Sequence, residues 1–375
     1  MSLLARANEL AGCGNPVIHL EVGEPDFDTP QPIAEAGIQA ICDGITRYTD
    51  AQGDPELRQA ICDFYGKVAG IEINPSRVFI TAGASGGLLL LTALLINPGE
   101  NLLMTDPGYP CNRHFLSSFN AEGLLVPVSA ENNYQLTPGL VDQHWTENTR
   151  GILVASPANP TGAVLSRDDI QGLLEAVNRR RGFVISDEIY QGLVYQNLLY
   201  QDQDAPSALS VTQDALIVNS FSKYFGMTGW RLGWVVVPET LVQDLAKLAQ
   251  NLFICPSAIS QRAAIAAFSS DALDIMQSQR KALQARRDYL VPELKTLGFG
   301  IGEIPAGAFY VYARLPDGSP SAEDFCSRLL EEQYVAITPG TDFGFHEAGD
   351  HVRISYARDI SELELAVERI GAFLT

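Results

Sequence analysis

The feature that most limits how this chain can fold is a repeated unit: a short apolar run, closed by a polar or Gly/Pro-rich turn, then a helix-like stretch. It recurs in "RVFITAG" from Arg77, "ENLLMTDPGYP" from Glu100, "GLLVPVSA" from Gly123 and "RGILVASPANPTG" from Arg150. It continues in "GFVISDEIY" from Gly182, "DALIVNSFSKYFG" from Asp214 and "WRLGWVVVP" from Trp230. Strands with no polar alternation must be covered on both faces. Alternating them with helices predicts an α/β fold around a mainly parallel sheet. The run "GLLLLTALLI" from Gly87 is too short to span a bilayer and reads as a buried helix.

Beyond about Leu241 the texture changes to long helical periodicity, reaching roughly Leu297. Then come "AFYVYARL", a polar helix around Asp324 to Glu332, and "HVRISYA". Alternation in these last strands predicts a half-exposed antiparallel sheet in a smaller α+β domain. The expected division is a large unit over residues 45–285, with 1–44 and 286–375 forming the small one.

Composition narrows the function. The 375 residues are 46% hydrophobic, enough for a large core, and the formal net charge is −20. Phosphate backbones and anionic bilayers repel such a surface, which argues against nucleic acid and membrane partners. The six cysteines stand singly, with no metal-ligand spacing. They read as reduced, mostly buried thiols in a cytoplasmic protein, and no metal is expected.

Polar residues gather where strands should end, the edge at which open parallel sheets bind ligands. "TAGASGG" from Thr81 opens a helix, whose N-terminal N–H groups attract an anion; a close-packed turn is the plain alternative. Asn159 in "ASPANPTG" can donate to a ligand oxygen or simply make a turn. Asp187 in "VISDEIY" follows a strand that should be buried. It either caps the next segment or pairs with a cation, with Tyr190 three residues on. Lys223 in "NSFSKYFGMTGWRLGW" lies among Ser220, Ser222 and aromatic residues. Partial desolvation would make it a nucleophilic amine, although most lysines are solvated surface groups. Arg231 offers a cationic fork for phosphate. Arg353 in "HVRISYA" could hold a carboxylate or form an ordinary ion pair. Together these supply an amine, an anion cradle, a buried acid, oxygen donors and a carboxylate fork, which are the needs of pyridoxal 5′-phosphate.

With "VGEPDFDTP", "RYTDAQGDPELR", "DPGYP", "NPTG", "SDEIY" and "SFSKYFGMTGWRLGW" in order, the chain resembles the class I/II aminotransferases of pyridoxal-phosphate fold type I from Val22 to Ala357. The resemblance implies that Lys223 forms a Schiff base with the cofactor and that Asp187 holds its ring nitrogen protonated. Asn159 and Tyr190 would bond the ring oxygen, and Tyr109 would stack on the ring. Ala84, Ser85, Ser220, Ser222 and Arg231 would hold the phosphate. Arg353, with the Gly23 backbone, would clamp the substrate carboxylate. Tyr48 would reach the neighbouring subunit's phosphate, implying a homodimer. The substrates would be an amino acid and a 2-oxo acid. Ser85 stands where one group of aspartate-specific bacterial relatives carries a lysine, so a neutral amino donor is expected. The chain begins later than many relatives, which shortens any N-terminal arm. Two other activities share these motifs: a β-eliminating carbon–sulfur lyase and a non-catalytic sensor domain. The sensor normally follows a DNA-binding domain, for which no room is expected before "GEPDF".

Overall fold

A computed structural model describes residues 2–195 and 206–375. The strands are β1 (Ile18–His19), β2 (Val78–Thr81), β3 (Asn101–Asp106), β4 (Glu122–Pro127), β5 (Thr149–Ala155) and β6 (Phe183–Asp187). They continue as β7 (Leu216–Ser220), β8 (Gly233–Val236), β9 (Tyr310–Arg314), β10 (Val335–Ala336), β11 (Thr338–Pro339) and β12 (His351–Ser355). The first helices are α1 (Ser2–Gly12), α2 (Gln31–Cys42), α3 (Pro55–Ala69) and α4 (Gly83–Leu95). Then come α5 (Cys111–Ser117), α6 (Pro138–His144), α7 (Arg167–Asn178) and α8 (Val242–Phe253). The last are α9 (Ala258–Ile265), α10 (Ser270–Thr296), α11 (Ala322–Gln333) and α12 (Ile360–Leu374).

Seven strands form the central sheet in the order β2-β8-β7-β6-β5-β3-β4. Only β8 runs against its neighbours, pairing antiparallel with both β2 and β7. β5, β6 and β7 pair in parallel, with Ala155 opposite Asp187 and Asp187 opposite Val218. These strands are buried nearly throughout, as uninterrupted apolar runs require.

Helix ends follow the sequence locally. Asp54 caps α3 by accepting the Glu56 N–H, with Pro55 in the first turn, and Gly70 closes the helix at φ 66°. Ser166 and Asp169 form a reciprocal capping box on α7. Arg77 ties the sheet edge: its Nε donates to Val237 O (2.7 Å), and its Nη atoms reach the Gln213 side chain and carbonyl.

A second, antiparallel sheet has the order β11-β12-β9. The expectation of a half-exposed sheet fails here. β12 is buried at every position and β9 at all but Arg314. The alternating polar residues are turned toward a binding cavity and neighbouring loops instead of water. β1 pairs with β10, bringing the segment before Gly23 beside the second sheet. One apolar cluster runs from Ile18 to Ile370 through both sheets. The anticipated boundary at residue 285 falls inside α10.

The cysteines also depart from expectation. All are free, but Cys13 and Cys42 are exposed and only Cys62 and Cys326 are buried. Cys13 lies just beyond α1, and Cys42 ends α2, so neither meets the core. Among the described residues no helix is long and apolar enough to cross a membrane, and no side-chain group is arranged to hold a metal ion.

Arg77→Ala strands the Gln213 and Val237 acceptors at the sheet edge. It is expected to lower the unfolding free energy by about 3 kcal/mol, because hydrogen bonds to charged groups carry more than neutral ones. A urea titration checks this, and an unchanged midpoint at unchanged slope contradicts it.

Candidate active site

The carboxyl ends of the parallel strands open onto one cavity. Tyr109 follows β3, Asn159 follows β5, Asp187 ends β6 with Tyr190 just beyond, and Lys223 follows β7. The second sheet adds Tyr310 and Arg353, and the segment after β1 adds Gly23. These side chains, with Ala155, Pro157 and Ile189, enclose about 260 Å3. Two elements the sequence could not align, the ends of the parallel strands and the face of β12, therefore meet.

Lys223 Nζ donates to the Gly23 carbonyl at 2.6 Å and lies 5.9 Å from the ring centres of Tyr190 and Phe309. Burial pushes its pKa down to about 8; Glu24 opposes this, while Arg353 and Arg231 reinforce it. Near neutral pH most of it is still protonated, but the neutral amine is a far larger fraction than in an ordinary lysine.

Asp187 is buried, and among the described residues its carboxylate accepts one hydrogen bond, from the Ile189 N–H at 3.2 Å. Burial pushes its pKa up to about 7, with that N–H pulling the other way. A cation placed in the cavity would relieve this carboxylate. Glu188 is likewise pushed up to about 7 by burial, but the Ala208 N–H (2.8 Å) and Ser186 Oγ (3.2 Å) satisfy one of its oxygens inside the protein. It does not line the cavity.

Arg353 is buried and held from several sides. Nη1 donates to Asn159 Oδ1 (3.0 Å) and Nη2 to the Glu21 carbonyl (2.5 Å). Its guanidinium lies 4.3 Å from the Tyr310 ring centre and 4.7 Å from that of Phe343. Among the described residues its Nε has no hydrogen-bond partner, so the group retains capacity for an anion. The Tyr190 hydroxyl lies 3.0 Å from that of Tyr310, and burial pushes both phenols up, keeping them protonated.

A second group gathers at the start of α4. Its N-cap, Ala82, provides no side-chain acceptor, leaving the first backbone N–H groups of Ala84 and Ser85 free of a side-chain cap. Gly83 has φ +69°, and a Cβ there would come within 2.8 Å of Arg231 Nη2. A Cβ on Gly233 would come within 2.8 Å of the Ala84 nitrogen. Gly233 pairs with Ser220, whose hydroxyl bonds Ser222 Oγ at 3.0 Å. Ala84, Ser85, Ser220, Ser222 and Arg231 are thereby brought to one helix start, a ready anion cradle. Tyr48 joins neither group within its own chain and is 82% exposed.

Tyr310 and Phe343 were not singled out from the sequence. "AFYVYARL" marks a strand, but nothing in it says that Tyr310 faces a ligand.

Asp187 offers a direct measurement. An ordinary aspartate has a pKa near about 3.9, so one raised to about 7 penalises the fold progressively as pH climbs between those values. Without cofactor, Asp187→Asn should therefore raise the melting temperature relative to wild type at pH 8, and do so less at pH 5. A variant equally or more destabilised at pH 8 contradicts this ionisation.

The whole chain has clear relatives. The family described as aminotransferase class I and II matches residues 15–370. A (5-formylfuran-3-yl)methyl phosphate transaminase of Methanocaldococcus jannaschii is 35% identical over all of this chain and 96% of its own length. A valine–pyruvate aminotransferase of Mycobacterium tuberculosis is 37% identical, covering 96% of this chain and 91% of its own. The crystal structure of an aminotransferase from Mycobacterium tuberculosis superposes with TM-score 0.94 at 36% identity, over 100% of this chain and 95% of that one. The fold, the edge of the sheet where the cavity opens and this similarity along the full length agree: the chain belongs to the class I and II aminotransferases.

Proposed function

We propose that this aminotransferase works with pyridoxal 5′-phosphate and moves an amino group from a neutral L-amino acid to a 2-oxo acid. The observation that carries this reading is the pairing, across one cavity, of a lysine with a depressed pKa and a buried aspartate lacking a cation. The cofactor's chemical groups fit what the site leaves unsatisfied. A protonated ring nitrogen suits Asp187, a phosphate suits the uncapped start of α4 beside Arg231, and an aldehyde suits Lys223. When bound, the cofactor supplies an aldehyde that condenses with amines and a ring that accepts the electron pair from the substrate's α-carbon.

The protein's own residues do the rest. Lys223 Nζ would hold the aldehyde and, as a free amine, would take the proton from the substrate α-carbon. Asp187 keeps a proton on the ring nitrogen by offering its charge there. Tyr190 and Asn159 orient the ring oxygen, and Tyr109 covers the ring face. Ala84, Ser85, Ser220, Ser222 and Arg231 anchor the phosphate. Arg353 binds the substrate carboxylate, with Gly23 beside it.

The cations lining the cavity are Lys223 and Arg353, and both have roles in this scheme; Ser85 is uncharged. That supports a donor without a second carboxylate. Exposed Tyr48, Leu252, Phe253 and Ile254 support assembly as a homodimer, in which Tyr48 would reach the partner's phosphate. The free thiols fit a reducing, cytoplasmic setting. The two sheets support a division into residues 45–285 and residues 1–44 with 286–375.

Capture of pyridoxal phosphate by cofactor-free protein requires neutral Lys223. Its rate, followed by absorbance, should rise about tenfold per pH unit below pH 8 and flatten above it. Lys223→Ala should abolish both capture and turnover. Adding single amino acids to the holoenzyme should convert its absorbance fastest with neutral donors and yield the 2-oxo acid. Faster conversion with aspartate, or ammonia and pyruvate released from a β-substituted donor without acceptor, would overturn the donor assignment or the reaction assignment respectively.

A further inference from the structure

The loop between β11 and β12 is fastened to the central sheet by one carboxylate. Asp106 ends β3, three residues before Tyr109, and is buried. Its Oδ1 accepts the Phe345 N–H at 2.9 Å, and its Oδ2 accepts the His346 N–H at 3.2 Å. The Gly108 N–H donates to the Phe343 carbonyl at 2.9 Å, closing a second link between the same two segments. The Arg113 guanidinium lies 5.2 Å from the ring centre of Phe345. At Gly344 a Cβ would come within 1.7 Å of Asp106 Oδ1, so this approach admits only glycine. Between those links, Phe343 packs on the Arg353 guanidinium at 4.7 Å.

We propose that Asp106 is a positioning residue for substrate binding: by clipping the backbone of Phe345 and His346 it seats Phe343 against Arg353. The clip thereby fixes the carboxylate-binding arginine relative to the wall made by Tyr109. The physical basis is that an ionised acceptor makes stronger hydrogen bonds than a neutral one, and two oxygens on successive N–H groups set orientation as well as distance. Arg353 sits on a separate sheet from the strand ends that carry Lys223 and Asp187. Its position relative to them therefore depends on contacts such as this clip. This inference rests on Arg353 as the carboxylate-binding group.

The test is steady-state kinetics of the holoenzyme with a neutral donor for wild type, Asp106→Ala, Gly344→Ala, the double variant and Arg353→Lys. Loss of an interaction made equally in ground and transition states raises KM and spares kcat. Asp106→Ala is expected to raise the donor KM about tenfold or more, with kcat within about threefold and the cofactor absorbance unchanged. Gly344→Ala, which drives the carboxylate out, should do the same. The double variant should be no worse than either alone, because the new methyl then meets no carboxylate. If Asp106→Ala does not fold, Asp106→Asn carries the test with a smaller rise in KM, since it retains one acceptor oxygen. Unchanged KM, a fall confined to kcat, or additive losses in the double variant would overturn the clip. If Arg353→Lys leaves KM unchanged, it is the assignment of Arg353 that fails. If Arg353→Lys raises KM but the Asp106 and Gly344 variants do not, the clip alone fails.

Discussion

A carboxylate at the end of a strand covered on both faces has little water to stabilise its charge. Asp187 is in that position, with a single backbone N–H for support, and its pKa is pushed up to about 7. The arrangement is tolerable to a folded protein if something cationic enters the cavity. The rest of the site is organised around that requirement. The parallel strands deliver Lys223, Asn159 and Tyr190 to the same edge, and α4 presents its bare N-terminus nearby. The proposed cofactor supplies a positive ring nitrogen and a negative phosphate, which the two ends of the site separately lack.

The second constraint is distance between sheets. Arg353 belongs to β12, far along the chain from Asp187, yet its guanidinium bonds Asn159 at the end of β5. Aromatic faces of Tyr310 and Phe343 hold it where a flexible side chain would otherwise search. These rings shield the arginine from water without neutralising it, which keeps its attraction for a carboxylate strong. Burial works in the opposite direction on Lys223, disfavouring its charge and freeing the amine. One cavity thus strengthens a cation that cannot lose its proton and eases the loss of a proton from one that can.

Much of this was legible in the chain. Uninterrupted apolar runs imply strands covered on both faces, hence a parallel sheet, and the seven-stranded core has six strands running one way. The stretch from Thr81 was read as a helix start able to hold an anion, and the structure puts Gly83 and Gly233 there, close against Arg231 and the Ala84 nitrogen. Where the reading failed, the reason is physical. Alternation in "HVRISYA" was taken as a wet face, but polar residues also alternate when they face an enclosed cavity, and β12 is buried throughout. Cys13 and Cys42 were expected inside because thiols usually are. They lie at helix ends that face solvent.

By itself the sequence determined the fold class, the family and the residues able to do chemistry, because periodicity and motif spacing are local properties of a chain. Tertiary structure decided which of them share a cavity, that Tyr310 and Phe343 frame Arg353, and that Asp106 reaches the loop before β12. Those are contacts between segments remote in sequence. They follow from how two sheets pack against each other, and no local pattern of residues encodes that distance.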